Sequence, residues 1–147
     1  MGDEAGIVTA GIAGDDYFTL SDDSRQGSPQ EWASSAVAAY HKFRADAIVA
    51  EKNNGGDMVE AVIKQVDPTV RVKLVWASRG KATRAEPIAA IAEQGRDHHV
   101  GSFPLLEDEL CMWMPGDKSP NRLDAKVWAM TELFDDRRVK AIPSLLN

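Results

Sequence analysis

The sequence contains a single cysteine, Cys111, so the chain cannot form an internal disulfide or a metal site built from paired thiolates. One isolated thiol fits a reducing compartment. No apolar run approaches the roughly 18 residues that a membrane-spanning helix needs. The acidic opening from Met1 to Glu4 also lacks the basic and apolar segments of a signal peptide. These absences predict a soluble, intracellular protein.

Positive charge is also scarce. The 147 residues include 17 Lys and Arg against 23 Asp and Glu, which gives a formal net charge of −6. General adhesion to nucleic acid through bulk charge is therefore excluded, and contact with DNA would need a local basic patch. The hydrophobic content of 44% is enough for one modest core, and no linker or internal repeat is visible, so we expect one domain.

Several catalytic motifs are missing as well. The chain has no Walker A phosphate loop and no GxGxxG after a strand, so nucleotide hydrolysis and dinucleotide binding have no support. No serine occupies a G-x-S-x-G elbow, which argues against a hydrolytic triad. His98 and His99 are adjacent in a predicted strand, where neighbouring side chains point to opposite faces, so this pair is not expected to chelate a metal ion.

Local patterns predict a mixed α/β protein. Two short β-branched runs, 6–12 and 17–21, predict a hairpin across a Gly-Asp-Asp turn. Ser28, Pro29 and Glu31 predict the capped start of the first helix. The remaining predicted elements are a strand at 47–51, a helix at 58–66, a strand at 70–76, a helix at 82–94, a strand at 98–100, a helix at 105–113 and a long helix beginning after Ser119-Pro120.

Two acidic residues occupy positions that suit a metal ligand. Glu51 lies at the carboxyl end of an apolar strand, where open α/β sheets place ligands, and Asp124 lies about one turn inside the last helix. Carboxylates that converge on Mg²⁺ or Mn²⁺ supply what metal-assisted phosphodiester cleavage needs. Spacing alone leaves a simpler interpretation open, in which Glu51 is a solvated strand end and Asp124 a favourable charge near a helix N-terminus.

One short segment concentrates positive charge. Arg79, Lys81 and Arg84 surround Gly80 and could hold a phosphate backbone, although a basic loop is also commonly a solvated turn. The acidic runs 22–23, 107–109 and 135–136 are interpreted as surface charges.

Three segments taken together resemble a known family. They are 48–59 (IVAEKNNGGDMV), 77–81 with 84–87 (ASRGK and RAEP) and 119–125 with 127–129 (SPNRLDA and VWA). Their order and spacing resemble the C-terminal nuclease domain of tailed-phage terminase large subunits, over roughly residues 2–133. The resemblance implies an RNase H-like fold, in which helices flank a mixed central sheet. It also implies an acidic two-metal site that cuts concatemeric viral DNA during genome packaging.

The resemblance assigns roles to particular residues. Glu51 matches the family's second-strand catalytic acid, Asp124 matches the acid on the last helix, and Asp3 resembles a further acid found just before the second strand of the hairpin. All three are expected to bind Mg²⁺ or Mn²⁺. The residues expected to contact double-stranded DNA are Arg79, Lys81 and Arg84. The family further implies a terminase small subunit and a portal as partners, in the cytoplasm of a bacterial host, with no membrane and no nucleotide.

The chain departs from the family pattern at its beginning. The family's first, central strand ends in a catalytic Asp and comes immediately before the position where this sequence starts. Residues 1–147 are therefore expected to form a single terminase-type nuclease domain that is partial at its N-terminus and lacks the ATPase motor. Strand 6–12 would then lack the neighbour that separates it from strand 47–51. Lys126 replaces a residue that is commonly aliphatic, which is tolerable if its side chain faces solvent.

Two other functions remain open. The chain could be a catalytically inactive remnant that only contacts DNA or the packaging complex. It could also be another RNase H-like nuclease, such as a junction resolvase, although the block from Glu51 to Asp57 favours a terminase.

Overall fold

A computed structural model of the chain describes residues 4–52, 56–76, 81–114, 116–118 and 120–145, with side chains described except at 81–83 and 137–145. The elements, in chain order, are β1 (Val8–Ala13), β2 (Asp16–Asp22), α1 (Pro29–Lys42), β3 (Ile48–Glu51), α2 (Gly56–Val66), β4 (Val72–Val75), α3 (Lys81–Glu93), β5 (Asp97–His99), α4 (Pro104–Met112) and α5 (Asn121–Leu145). Every element has the type that the sequence predicts, so the α/β class is confirmed.

The strands form two separate sheets. The first is a mixed sheet of order β1-β2-β5, in which β1 and β2 are antiparallel and β2 and β5 are parallel. The second consists of β3 and β4, paired in parallel. Among the described residues, β1 and β3 each have one edge without a strand partner. This agrees with the expected gap between the hairpin and strand 47–51.

The hairpin between β1 and β2 is tighter than the sequence predicts. Ala13 pairs with Asp16, so the connection is a two-residue turn of Gly14 and Asp15. Gly14 has a φ of +60°, a conformation that glycine adopts without the steric cost of a side chain. A bulge interrupts the register between Thr9 and Ala10, and no local pattern in the sequence indicates it.

The first helix begins as predicted. The Ser28 hydroxyl accepts a hydrogen bond from the Glu31 N–H at 3.3 Å, and the Glu31 carboxylate accepts one from the Ser28 N–H at 3.1 Å. This reciprocal capping box is confirmed. The buried face centres on Ala33 and Val37, and Trp32 is half-buried.

Two apolar clusters make up the described core. One joins the hairpin, α3 and α5 through Tyr17, Ile88, Ile91, Leu123, Val127 and Met130. The other joins α1, α2 and the approach to β4 through Ala33, Val37, Ile63 and Val70. Helix α5 packs against β1 and β2 of the first sheet and against β3 of the second. It therefore bridges the two sheets and is the element that positions Asp124.

Candidate functional site

Glu51 is the last residue of β3 and lies at the carboxyl edge of the parallel pair. It is half-buried and pairs in register with Val75 of β4. Helix α2 begins directly against this strand end. A Cβ added to Gly56 would lie 2.9 Å from the backbone oxygen of Glu51 and 3.2 Å from Leu74 Cδ2, so glycine is required for the close approach. The position agrees with the predicted one, and the catalytic role of Glu51 stays a prediction.

Asp124 lies in the first turn of α5 and is close to a buried cation. Its carboxylate is 3.9 Å from Nη2 of Arg84, and the two side chains are 18% and 5% exposed. The Arg84 guanidinium lies 4.4 Å from the ring centroid of Trp128, one turn further along α5. The negative charge of Asp124 is thus balanced from within the protein, in a corner between α3 and α5.

Of the three basic residues predicted to contact DNA, the structure describes the side chain of Arg84 alone. Arg84 lies on the inner side of α3, with only 6% of its surface exposed. In this position its guanidinium forms an ion pair with the Asp124 carboxylate. A DNA contact by Arg84 stays a prediction. Arg79 and the side chain of Lys81 lie outside the described residues, as does Asp3.

Glu51 and Asp124 can be tested as ligands of a divalent cation. Carboxylate oxygens are the donors that Mg²⁺ and Mn²⁺ prefer, and the two residues come from β3 and α5, which pack together. Among the side chains that the structure describes, no group of three or more His, Cys, Asp or Glu is arranged to hold a metal ion. The donor chemistry fits, while the number of described ligands falls short of what two ions need.

Arg122 organises three carboxylates near the start of α5. It is 9% exposed and forms ion pairs with Glu4, with Asp22 at 2.9 Å and with Glu109 at 3.4 Å. Burial works to lower the pKa of Arg122, but the hydrogen bond with Glu4 and the charge of Asp22 outweigh burial and raise that pKa above its ordinary value. Glu4 is therefore engaged by Arg122.

The interpretation of two acidic runs as surface charges is wrong at three positions. The Asp22 side chain is only 10% exposed because it packs against Arg122. Glu107 accepts a hydrogen bond at 2.7 Å from the N–H of Phe103 at the start of α4. Glu109 is a partner of Arg122 and also a helix cap.

Glu109 caps α5 from a neighbouring helix. Its Oε1 accepts hydrogen bonds from the backbone N–H groups of Arg122 at 3.1 Å and Leu123 at 3.2 Å. A carboxylate at this place satisfies orphan donors and interacts favourably with the helix dipole. Ser119, which precedes the predicted start of this helix, lies outside the described residues. The start of the helix that carries Asp124 is thus held by a residue more than ten positions upstream.

Lys126 does not face solvent, so the condition under which the sequence makes this residue tolerable is not met. It is 1% exposed, and its Nζ lies 2.8 Å from Thr19 Oγ1, 3.0 Å from Asp97 Oδ1 and 3.1 Å from His99 Nε2. Burial lowers the pKa of Lys126, although the Asp97 charge opposes this. Burial and the Lys126 charge also lower the pKa of His99. The polar partners on β2 and β5 explain why an ammonium group is accommodated at this buried position.

The two adjacent histidines point in opposite directions. His98 lies 3.0 Å from Asp16 and stacks on Phe18, whereas His99 faces Lys126 and the ring of Phe103. The prediction that this pair does not chelate one ion agrees with this geometry.

Comparison with known proteins identifies the family. A family model described as the terminase RNaseH-like domain matches residues 1–133, which include all five strands, Glu51 and Asp124. No curated protein and no solved structure matches the chain. None of the helices described is both long enough and apolar enough to cross a membrane. Because the match covers most of the sequence and the observed architecture is α/β with a mixed sheet, the chain belongs to the terminase RNaseH-like domain family.

Proposed function

We propose that the chain is the metal-dependent endonuclease domain of a phage or prophage terminase large subunit. In this role it cuts concatemeric viral DNA during genome packaging, with double-stranded DNA, a terminase small subunit and a portal as partners. The observation that carries the proposal is the family match over residues 1–133. It is supported by Glu51 at the carboxyl edge of β3 and by Asp124 on the helix that packs against β3.

In the proposed site, Glu51, Asp124 and Asp3 would hold Mg²⁺ or Mn²⁺. Such ions, when bound, activate water and stabilise the leaving oxygen of a phosphodiester. The described residues prepare this site in two ways. Gly56 allows α2 to start directly against the strand that ends at Glu51, and Glu109 fixes the first turn of the helix that carries Asp124.

Arg84 has a specific place in this proposal. Its guanidinium balances the charge of Asp124 at 3.9 Å in an enclosed environment, where charges interact more strongly than in water. A cation that binds Asp124 therefore competes with Arg84. Metal binding at Asp124 is expected to be accompanied by a shift of Arg84, which would bring its charge closer to a bound phosphate.

The second candidate function is the inactive remnant. It is favoured by the separation of the described strands into two sheets, in which β1 and β3 are not paired through a common neighbour. The family match favours a terminase over a junction resolvase.

Cleavage of supercoiled plasmid in Mg²⁺ or Mn²⁺ separates the candidates. We expect the 147-residue chain to cleave weakly or not at all. An N-terminal extension, designed as an apolar strand that ends in Asp and pairs with the free edges of β1 and β3, should restore cleavage that Glu51→Ala then abolishes. If the extended chain is folded and inactive, the nuclease proposal fails and the remnant is favoured. Robust cleavage by the chain without the extension, abolished by Glu51→Ala, would instead show that the described acids and Asp3 suffice.

A further inference from the structure

One aromatic side chain beside the candidate site has no role in the core. Trp76 directly follows β4 and is 61% exposed, and it is the only aromatic residue among the exposed large apolar side chains that the structure describes. By contrast, Trp128 is 9% exposed. A largely exposed indole leaves a broad apolar face in water, which is a common property of binding surfaces.

The register of the second sheet places Trp76 at the same edge as the candidate catalytic acid. Glu51 pairs with Val75, so Lys52 and Trp76 are the residues that immediately follow this last pair of β3 and β4. The two side chains are in contact, since Lys52 Nζ lies 4.7 Å from the centroid of the Trp76 ring. A cation and an aromatic face are therefore presented together next to Glu51.

We infer that Lys52 and Trp76 form a DNA contact, in which the indole stacks on an exposed base and the ammonium group neutralises the neighbouring phosphate. The inference rests on the proposed function and adds a ligand chemistry to that site, namely DNA with a base face exposed at a strand end or in a single-stranded segment. Base stacking on an aromatic side chain is tolerant of sequence because every base has a π face.

The pairing of charge and aromatic surface favours DNA over an apolar protein partner. An apolar partner that covered Trp76 would also cover Lys52 and would remove its ammonium group from water without a counter-charge, which is costly. A nucleotide presents a flat base and an anionic phosphate together, so it matches both groups. The chain also needs local cations for DNA binding because its net charge is −6.

The test measures binding without cleavage. Fluorescence anisotropy with labelled oligothymidine in EDTA gives the affinity of the full chain and of three variants, Trp76→Ala, Trp76→Phe and Lys52→Gln. We expect Trp76→Ala to weaken binding about tenfold and Trp76→Phe to retain most of the affinity. Lys52→Gln should reduce the slope of log affinity against log salt by about 0.7. Binding should quench the tryptophan fluorescence of the wild type more than that of Trp76→Phe.

The chain provides a matched control at the end of α1. There Lys42 lies 5.2 Å from the centroid of the Phe43 ring, so it forms a similar cation–aromatic pair. This pair precedes the start of β3, whereas Glu51 lies at the other end of that strand. Lys42→Gln should keep the wild-type affinity and salt slope. The inference is overturned if the wild type does not bind oligothymidine, if Trp76→Ala binds as tightly as the wild type, or if Lys42→Gln loses as much as Lys52→Gln.

The binding experiment can succeed or fail independently of the nuclease proposal. If Trp76→Ala weakens binding in EDTA while no form of the chain cleaves plasmid, the contact stands and the nuclease proposal fails. If the extended chain cleaves in a Glu51-dependent manner while Trp76→Ala binds DNA normally, the nuclease proposal stands and this inference fails. Because Trp76 is largely exposed, thermal melting of Trp76→Ala is expected to match the wild type.

Discussion

Helix α5 presents two faces that pack against different parts of the protein. The cation face consists of Arg122 and Lys126, one turn apart, and the acid face consists of Asp124, Trp128 and Glu132 at the same spacing. Residues two positions apart on a helix lie on nearly opposite sides. The two faces therefore meet different surroundings within one helix.

The cation face is held by close contacts. Arg122 lies 2.9 Å from Asp22, and Lys126 lies 2.8 Å from Thr19 and 3.0 Å from Asp97. These partners belong to β2 and β5, so both cations anchor α5 to the first sheet.

The acid face meets α3 and the second sheet. Asp124 lies 3.9 Å from Arg84, and Glu132 pairs with Lys73 of β4 at 2.6 Å. Trp128 Nε1 is buried and has no hydrogen-bond partner in the part of the chain that the structure describes. Natural proteins rarely leave such donors unpaired, and functional sites are among the places where they do. We infer that the cation face anchors α5 to the first sheet, and that the acid face carries the proposed metal ligand, Asp124.

Asp124→Asn should produce the largest effect on activity. In the chain extended by the designed strand, this change removes a ligand charge from the proposed metal site, so measurable plasmid cleavage should be lost. Asn keeps the shape of the side chain but removes the negative charge beside the buried Arg84, so the free energy of unfolding should fall by about 1 to 3 kcal/mol and the variant should stay folded. Asp108→Asn, which alters an exposed acid on α4, serves as the control and should keep full activity. Cleavage that survives Asp124→Asn would remove the acid face from the mechanism.

Arg122→Met should produce the largest loss of stability. The substitution leaves Glu4, Asp22 and Glu109 without their shared cation, and removing one partner of a buried ion pair typically costs about 3 to 5 kcal/mol. Urea unfolding followed by circular dichroism measures the loss. Arg71→Met, at an exposed position before β4, should change stability by about 0.5 kcal/mol or less. Equal losses for the two variants would contradict an anchoring role for Arg122.

The same contrast explains what could be predicted from the sequence. Every element was predictable in type and nearly in extent, because caps and periodicity are local: Ser28 and Glu31 specify the start of α1 within four residues. Glu51 and Asp124 could be selected because a strand end and a helix start are also local features. Their roles, however, came from the family resemblance.

Contacts between distant segments could not be predicted. The burial of Lys126 depends on Thr19, which lies 107 residues away in sequence, and on Asp97, which lies 29 residues away. No spacing rule connects these positions. Arg84 is a second example. A basic residue in a polar segment predicts exposure, but the structure buries the Arg84 side chain against Trp128.

Lys126→Met should have a moderate effect that a second change relieves. The single substitution leaves Asp97 with its charge near the core, and an unsatisfied buried polar group costs about 1 to 3 kcal/mol. The double variant Lys126→Met, Asp97→Asn should recover part of this loss, because replacing both partners of a buried pair is often close to neutral. Urea unfolding of the wild type, both single variants and the double variant gives the coupling free energy. Strict additivity of the two changes would show that the ion pair does not connect α5 to β5.

The smallest expected effect is a change in how stability depends on pH. The pKa of His99 is lowered in the folded chain, first by burial and then by the charge of Lys126, with Asp97 and Glu107 opposing. Between this lowered pKa and the ordinary value of about 6.5, the unfolded chain binds more protons than the folded chain, so stability decreases as the pH falls through that interval. The contribution of Asp67, whose pKa is lowered to about 2, is fully present between about pH 7.5 and pH 5.5 and is lost only at much lower pH. Urea unfolding between about pH 7.5 and pH 5.5 should therefore show a decrease that His99→Gln flattens. His98→Gln, which removes the neighbouring ring in an exposed pair with Asp16, is measured beside it as the matched substitution on the same strand. If His99→Gln retains the full decrease, His99 does not titrate against Lys126, and the cation face is held without it.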